Sequence, residues 1–167
     1  KWYRDIQNVV LDAMQTLPYF CYLIPVLMFF GGNIVSAVIA TVIYSVPPII
    51  RLTALGLSQV SGGYSEVSKS FGGTGIQTLN KVKFPLAVPS LVMGFNQTVI
   101  MAFAMQIVTP LIGGKGLGLQ VFNALQRSDT GRGLSAGLAI VLLAIIIDRI
   151  THAWTKKQRQ ALGLDQS

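Results

Sequence analysis

Hydrophobic positions gather into four long runs, residues 9–30, 33–55, 86–110 and 134–154. Each is near the ~20 residues a helix needs to cross the hydrocarbon of a bilayer. A polar insert, 61–85, separates the second run from the third, and a glycine-bearing one, 111–133, separates the third from the fourth. The pattern predicts an all-α membrane protein with about four to five transmembrane helices, and a short outer helix over 119–126. Pro18 and Pro25 fall in the first run and Pro47 and Pro48 in the second. Each removes a backbone donor and bends its helix.

The insert carries its own local code. Residues 66–71 suit a short helix, and Gly72 or Gly73 offers the left-handed residue that commonly ends one. Thr74 followed by Gln77 reads as a capping box, which starts a second helix. Pro85 then opens the next segment. Two short helices joined by a glycine corner make a rigid knob, although a solvated loop with capping residues would satisfy the same spacing. Gly62 and Gly63 weaken the turn before it, at ~1 kcal/mol per glycine.

Within the runs, small residues recur every fourth position: Ala37, Thr41 and Ser45; Gly94, Thr98 and Ala102; Gly133 and Gly137. Such stripes let helices approach closely, within one subunit or between two. Asn96, Gln97, Thr98 and Gln106 make the third run the most polar. Because an unpaired amide is costly in lipid, these groups should face the bundle or a wet cavity. They are candidates for a translocation path, or for hydrogen bonding between helices. Tyr19 and Tyr22, beside Phe20, are candidates for a cation–π surface or for packing.

Composition agrees. Hydrophobic residues make up 51% of the chain and charged ones only 11%, against about a quarter charged in soluble domains. The net charge of +7 is bunched near the ends of the runs. Lys and Arg favour the cytoplasmic side, so Lys1, Arg4, Arg51, Lys69, Lys81, Lys83, Lys156, Lys157 and Arg159 place both termini and the 61–85 insert inside, and 111–133 outside. The basic balance thus reflects topology, and no aromatic interleaving suggests nucleic-acid binding. Cys21, alone in an apolar run, reads as a small buried hydrophobe. One His and one distant Cys build neither a metal site nor a nucleophile–base pair. GGKGLG at 113–118 lacks the Ser or Thr of a P-loop, so ATP used here would be hydrolysed on another chain. With neither an initiator Met nor a signal peptide, the sequence is expected to be a piece of a longer one.

The spacing of Glu66, Gly72, Val82, Phe84 and Pro85 resembles the cytoplasmic loop of ABC importer permeases: Glu-Ala-Ala, three residues, Gly, nine residues, Ile-x-Leu-Pro. Val67 and Ser68 stand in place of the two alanines. The runs at 11–31, 46–60, 81–90, 94–98 and 145–151, with QTLP, PPIIRLT, NQT and a closing DR, resemble the permease subunit of glycine betaine/proline ABC importers over nearly the whole chain.

That resemblance implies a type I importer transmembrane domain, MetI-like, over 1–156 with a basic cytoplasmic tail at 157–167, in a bacterial inner membrane and without helices that precede this segment in the family. It implies a permease homodimer, two cytoplasmic ATPase subunits, an external substrate-binding protein, and no catalytic residue or cofactor on this chain. Glu66, Gly72 and Pro85 would shape the coupling element, with Lys69, Phe71, Thr74 and Gln77 near the ATPase groove. Alternating access would import betaine-type osmoprotectants. Alternatives are an importer of choline, carnitine or an amino acid, an ATP-independent transporter or channel, for which Asp12 and Asp148 stand near helix ends rather than buried, and a membrane scaffold, which has no use for the Glu/Gly/Pro spacing.

Overall fold

A computed structural model describes residues 2–161; Lys1 and the end of the basic tail, 162–167, lie outside the described residues. Those residues fold into helices α1 (Trp2–Thr16), α2 (Phe20–Phe30), α3 (Ile34–Ser45), α4 (Pro47–Gln59), α5 (Gly62–Ser70), α6 (Gly75–Thr78), α7 (Phe84–Gln106), α8 (Leu117–Gln126) and α9 (Thr130–Ala161). Among the described residues three stretches are long and apolar enough to cross a membrane: Ile34–Gln59, Gly75–Gln106 and Thr130–Lys157. The protein is a multi-pass membrane protein.

The expected single helix over 9–30 is corrected. Ile6–Thr16 and Phe20–Phe30 meet at 94°, so they add a fourth span only if the bent pair is counted as one. Pro18 causes the break: it has no N–H for the Met14 carbonyl four residues back, and its ring disfavours the helical conformation at Leu17. The Tyr22 hydroxyl donates to that Met14 carbonyl, replacing the bond Pro18 cannot make. Cys21, expected to be buried, is exposed.

By Cα proximity the chain forms two compact units. The first comprises residues up to 47 and 98–147. Its core is Leu23, Val26, Ala37, Ala40, Met105 and Ile112, with Tyr44 and Val108 packed against it. Asn33 caps α3, its Oδ1 accepting from the amides of Val35 and Ser36 at 2.8 and 3.0 Å. After α7 a 3₁₀ turn, Thr109–Ile112, folds back and Gly113 ends it in a left-handed conformation (φ 91°). The short helix expected over 119–126 is α8, which begins at Leu117. It starts hard against the end of α7, where a Cβ on Gly118 would lie 1.9 Å from the Gln106 carbonyl oxygen.

The second unit comprises 48–97 and the chain from 148 on. Here α4 and α7 touch backbone to backbone. A Cβ on Gly94 would meet Ile49 Cα and Leu52 Cβ at 3.1 Å, and one on Gly56 would meet Ser90 Cβ at 2.5 Å. Gly94, from one of the small-residue stripes, thus serves packing within the subunit. In the other stripe glycines, Gly133 lies 3.4 Å from Ala124 Cβ by the same measure, while Gly137 has open space around it.

Candidate functional site

The polar insert builds a knob of two helices. Ser61 caps α5, its hydroxyl accepting from the Gly63 amide. The helix therefore starts at Gly62, four residues before the Glu66 expected from sequence. Glycine costs least in a first turn, where amides have no helical partner to lose. At the other end Gly72 takes φ 77°. Its amide donates to the Lys69 carbonyl and the Gly73 amide to the Ser68 carbonyl, both at 2.9 Å. This pair of bonds is a Schellman closure.

The next residue restarts the helix. The Thr74 amide donates to Gln77 Oε1 at 2.9 Å and the Gln77 amide to Thr74 Oγ1 at 3.4 Å, so both halves of the capping box are present. The hydroxyls of Ser68 and Thr78 lie 2.8 Å apart and tie α5 to α6. The corner is thus fixed by hydrogen bonds while its apolar tips stay bare: Phe71 is 88% and Ile76 74% exposed. Glu66 and Lys69 are exposed on α5, and Lys69 lies in its last turn, where a cation suits the helix dipole.

Pro85 does not open a separate segment. A π turn, Leu79–Lys83, carries α6 into α7, and the Phe84 amide reaches back five residues to the Leu79 carbonyl. Widening the helix in this way suits Pro85, the second residue of α7, which has no N–H to give. The result is one 32-residue helical stretch from Gly75 to Gln106, so the knob is the continuation of a transmembrane helix.

The structure separates the candidate path residues. Asn96 donates through Nδ2 to Asp148 Oδ1 on α9, and His152 Nε2 lies 3.4 Å from the same oxygen. Gln97 is exposed, and Thr98 Oγ1 is buried without a hydrogen-bond partner. Three consecutive helical residues point ~100° apart, so they do not line one cavity. Tyr22 closes the Pro18 break and packs edge-on to Tyr44, ring centres 5.8 Å apart. Tyr19 is exposed beside Phe20, at 4.6 Å. Gln106 lines a groove of about 460 Å³ in the first unit, together with Thr41 of α3, Phe103 of α7 and Lys115.

Sequence reasoning missed Asp148 and Lys115. The fourth apolar run, 134–154, puts Asp148 near a helix end, but α9 runs on to Ala161 and holds it well inside. An acid within an otherwise apolar run was the available signal. Among the described residues no cluster of three or more His, Cys, Asp or Glu is placed to hold a metal.

Residues 1–160 match the family model described as binding-protein-dependent transport system inner membrane component. The glycine betaine/carnitine transport permease protein of Listeria monocytogenes is 47% identical over 156 residues, 93% of this chain and 55% of that one. The glycine betaine transport system permease protein of Bacillus subtilis is 43% identical over 149 residues (89% and 53%). The glycine betaine/proline betaine transport system permease protein of Escherichia coli is 45% identical over 150 residues (90% and 42%). The chain spans about half the length of these relatives. Among solved structures, an inward-facing form of the MetNI methionine ABC transporter matches with a TM-score of 0.83 at 20% identity, over 94% of this chain and 76% of that one. That likeness is one of fold.

Proposed function

Since the chain belongs to the binding-protein-dependent transport system inner membrane component family, in which it adopts the type I ABC importer permease fold, we propose that it is the translocating part of an ATP-driven importer of betaine-type osmoprotectants. The observation that carries this reading is the knob. A solvent-facing corner, closed by a Schellman pair and a capping box, continues without interruption into a transmembrane helix. A rigid lever joined end-on to a membrane helix converts a push on the knob into movement of that helix.

On this reading the knob faces the cytoplasm of a bacterium, and its apolar tips, Phe71 and Ile76, sit in a groove of the ATPase. Glu66, Lys69, Thr74 and Gln77 border that contact, and Gly72 and Pro85 set its shape. Two copies of the permease pair with two ATPase subunits and receive solute from an external binding protein. The core domain is 1–156, and the basic tail at 157–167 joins the termini on the cytoplasmic side. ATP, held by the partner, closes the ATPases, the knobs follow, and the spans open outward; hydrolysis resets them. The names of the relatives at 43–47% identity support glycine betaine and its analogues as solutes.

The test is ATP-dependent uptake of labelled glycine betaine into vesicles holding the full-length permease with its ATPase and binding protein, comparing the parent with Gly72→Pro. Proline cannot adopt φ 77° and lacks the amide that bonds Lys69. Uptake in the parent that is lost in an assembled variant is expected. Uptake without the ATPase, or an assembled Gly72→Pro complex that transports normally, would overturn the reading.

A further inference from the structure

The groove of the first unit has the chemistry of a small zwitterion with a methylated ammonium at one end and a carboxylate at the other. Its walls are mostly apolar, formed by Val38 and Val42 of α3 and Phe103 of α7. Its polar lining is Gln106 and Thr109, Thr41 on α3 and Lys115 in the loop before α8. A pocket of about 300–1,000 Å³ with apolar walls and a few placed polar groups is the ordinary form of a small-molecule site, and about 460 Å³ falls within that range.

Gln106 is held in place by backbone. The Thr109 hydroxyl donates to its carbonyl at 3.2 Å, and Gly118 lets α8 press on that same carbonyl. A Cβ on Gly116 would lie 3.6 Å from Gln106 Nε2, so the amide sits beside the loop that carries Lys115. A hydrogen-bond donor and a cation therefore line the same groove as an aromatic ring.

We propose that this groove is a transient station for the solute in transit: Lys115 and Gln106 take the carboxylate, while the Phe103 ring and the valines take the quaternary ammonium. An ammonium with methyl groups is held by an aromatic face and by apolar contact at once. Lys115 acts as a flexible point charge, not a geometric clamp. Such a station binds weakly, because a transported solute must leave as readily as it enters. The proposal rests on the transport reading above and names where on this chain the solute is held.

The experiment uses vesicles of the full-length permease with its ATPase and binding protein, and labelled glycine betaine as probe. Lys115→Gln, an exposed change that leaves the fold intact, is expected to lower uptake kcat/KM about fivefold, the worth of one solvent-exposed charge pair. Lys115→Arg is expected to stay within about twofold of the parent, as the charge is kept. Phe103→Leu, which keeps an apolar wall and removes the ring, is expected to lower uptake by about the same factor as Lys115→Gln. Stimulation of ATP hydrolysis by the binding protein should be unchanged in all three. Uptake by Lys115→Gln and Phe103→Leu equal to the parent would overturn the site. So would a loss in Lys115→Gln matched by an equal loss of that stimulation, which would put Lys115 on the docking surface instead. A parent that imports no betaine would overturn the transport reading, and the site with it.

Discussion

The tightest contact in the first unit gives the sharpest stability prediction. Gly118→Ala adds one methyl group in the first turn of α8, where alanine's advantage over glycine is smaller than the ~1 kcal/mol of a helix interior. In this structure the added Cβ would sit 1.9 Å from the Gln106 carbonyl oxygen and 2.8 Å from its carbonyl carbon. That is about 1.5 Å inside normal contact, and the obstacle is backbone that cannot rotate aside. The same carbonyl receives the Thr109 hydroxyl, so relief means moving α8 or breaking that bond. Overpacking of this kind costs ~1–3 kcal/mol, with the upper end applying when backbone must shift. After the propensity gain, a net loss of ~1–2 kcal/mol is expected, lowering the melting temperature by about 5 °C for a protein of this size. Gly62→Ala is the control: a Cβ there meets nothing within 4 Å, and stability should hold or rise by up to ~1 kcal/mol. Thermal melting of the purified full-length permease in detergent ranks the variants. A Gly118→Ala protein that melts at or above the parent would refute the packing argument.

Two further predictions concern single contacts and a third the membrane topology. Thr74→Ala removes half of the capping box at a cost of ~1 kcal/mol, so amide exchange at Gln77 should speed about fivefold; an unchanged rate would show that the knob does not depend on it. Asn96→Leu leaves the Asp148 carboxylate without its amide donor and should cost ~2 kcal/mol in melting experiments, while exchanging the pair, Asn96→Asp with Asp148→Asn, should recover most of that; a fully stable Asn96→Leu would sink the interhelical bond. Single cysteines at positions 69 and 115, made with Cys21→Ser, should label from opposite faces of sealed vesicles, position 69 from the cytoplasmic one; labelling from one face would overturn the topology.

What was legible in the sequence was local. Thr74 and Gln77 are three residues apart, and their bonds need no distant partner, so the capping box follows directly from the spacing. The membrane runs are likewise a property of windows of the chain. The start of α5 is not legible in glycine propensity, which describes a helix interior, because Ser61 places Gly62 and Gly63 in its first turn. Pro18 marks a bend, but neither its size, 94°, nor the bond from the Tyr22 hydroxyl to the Met14 carbonyl is encoded in any propensity. Asn96 and Asp148 are 52 positions apart, and Lys115 lines the same groove as Thr41 only through the fold of the first unit. Such juxtapositions exist only after packing, which is why polar residues marked as one path divide into an interhelical bond, an exposed amide and a groove.

The π turn at Leu79–Lys83 has a geometric meaning of its own. An α-helix turns ~100° per residue, and a π turn accommodates one residue more than the α turn it replaces. The extra residue is therefore taken up inside the turn, and α6 and α7 keep the angular relation that a plain α turn with one residue fewer would give them. One residue inserted instead into the α part of α7, between Leu86 and Ala87, would swing Phe71 and Ile76 about 100° around the helix axis, leaving the knob and the span each intact but aimed differently. Loss of coupling in such a variant would come from misorientation alone, with every local hydrogen bond of the knob still made.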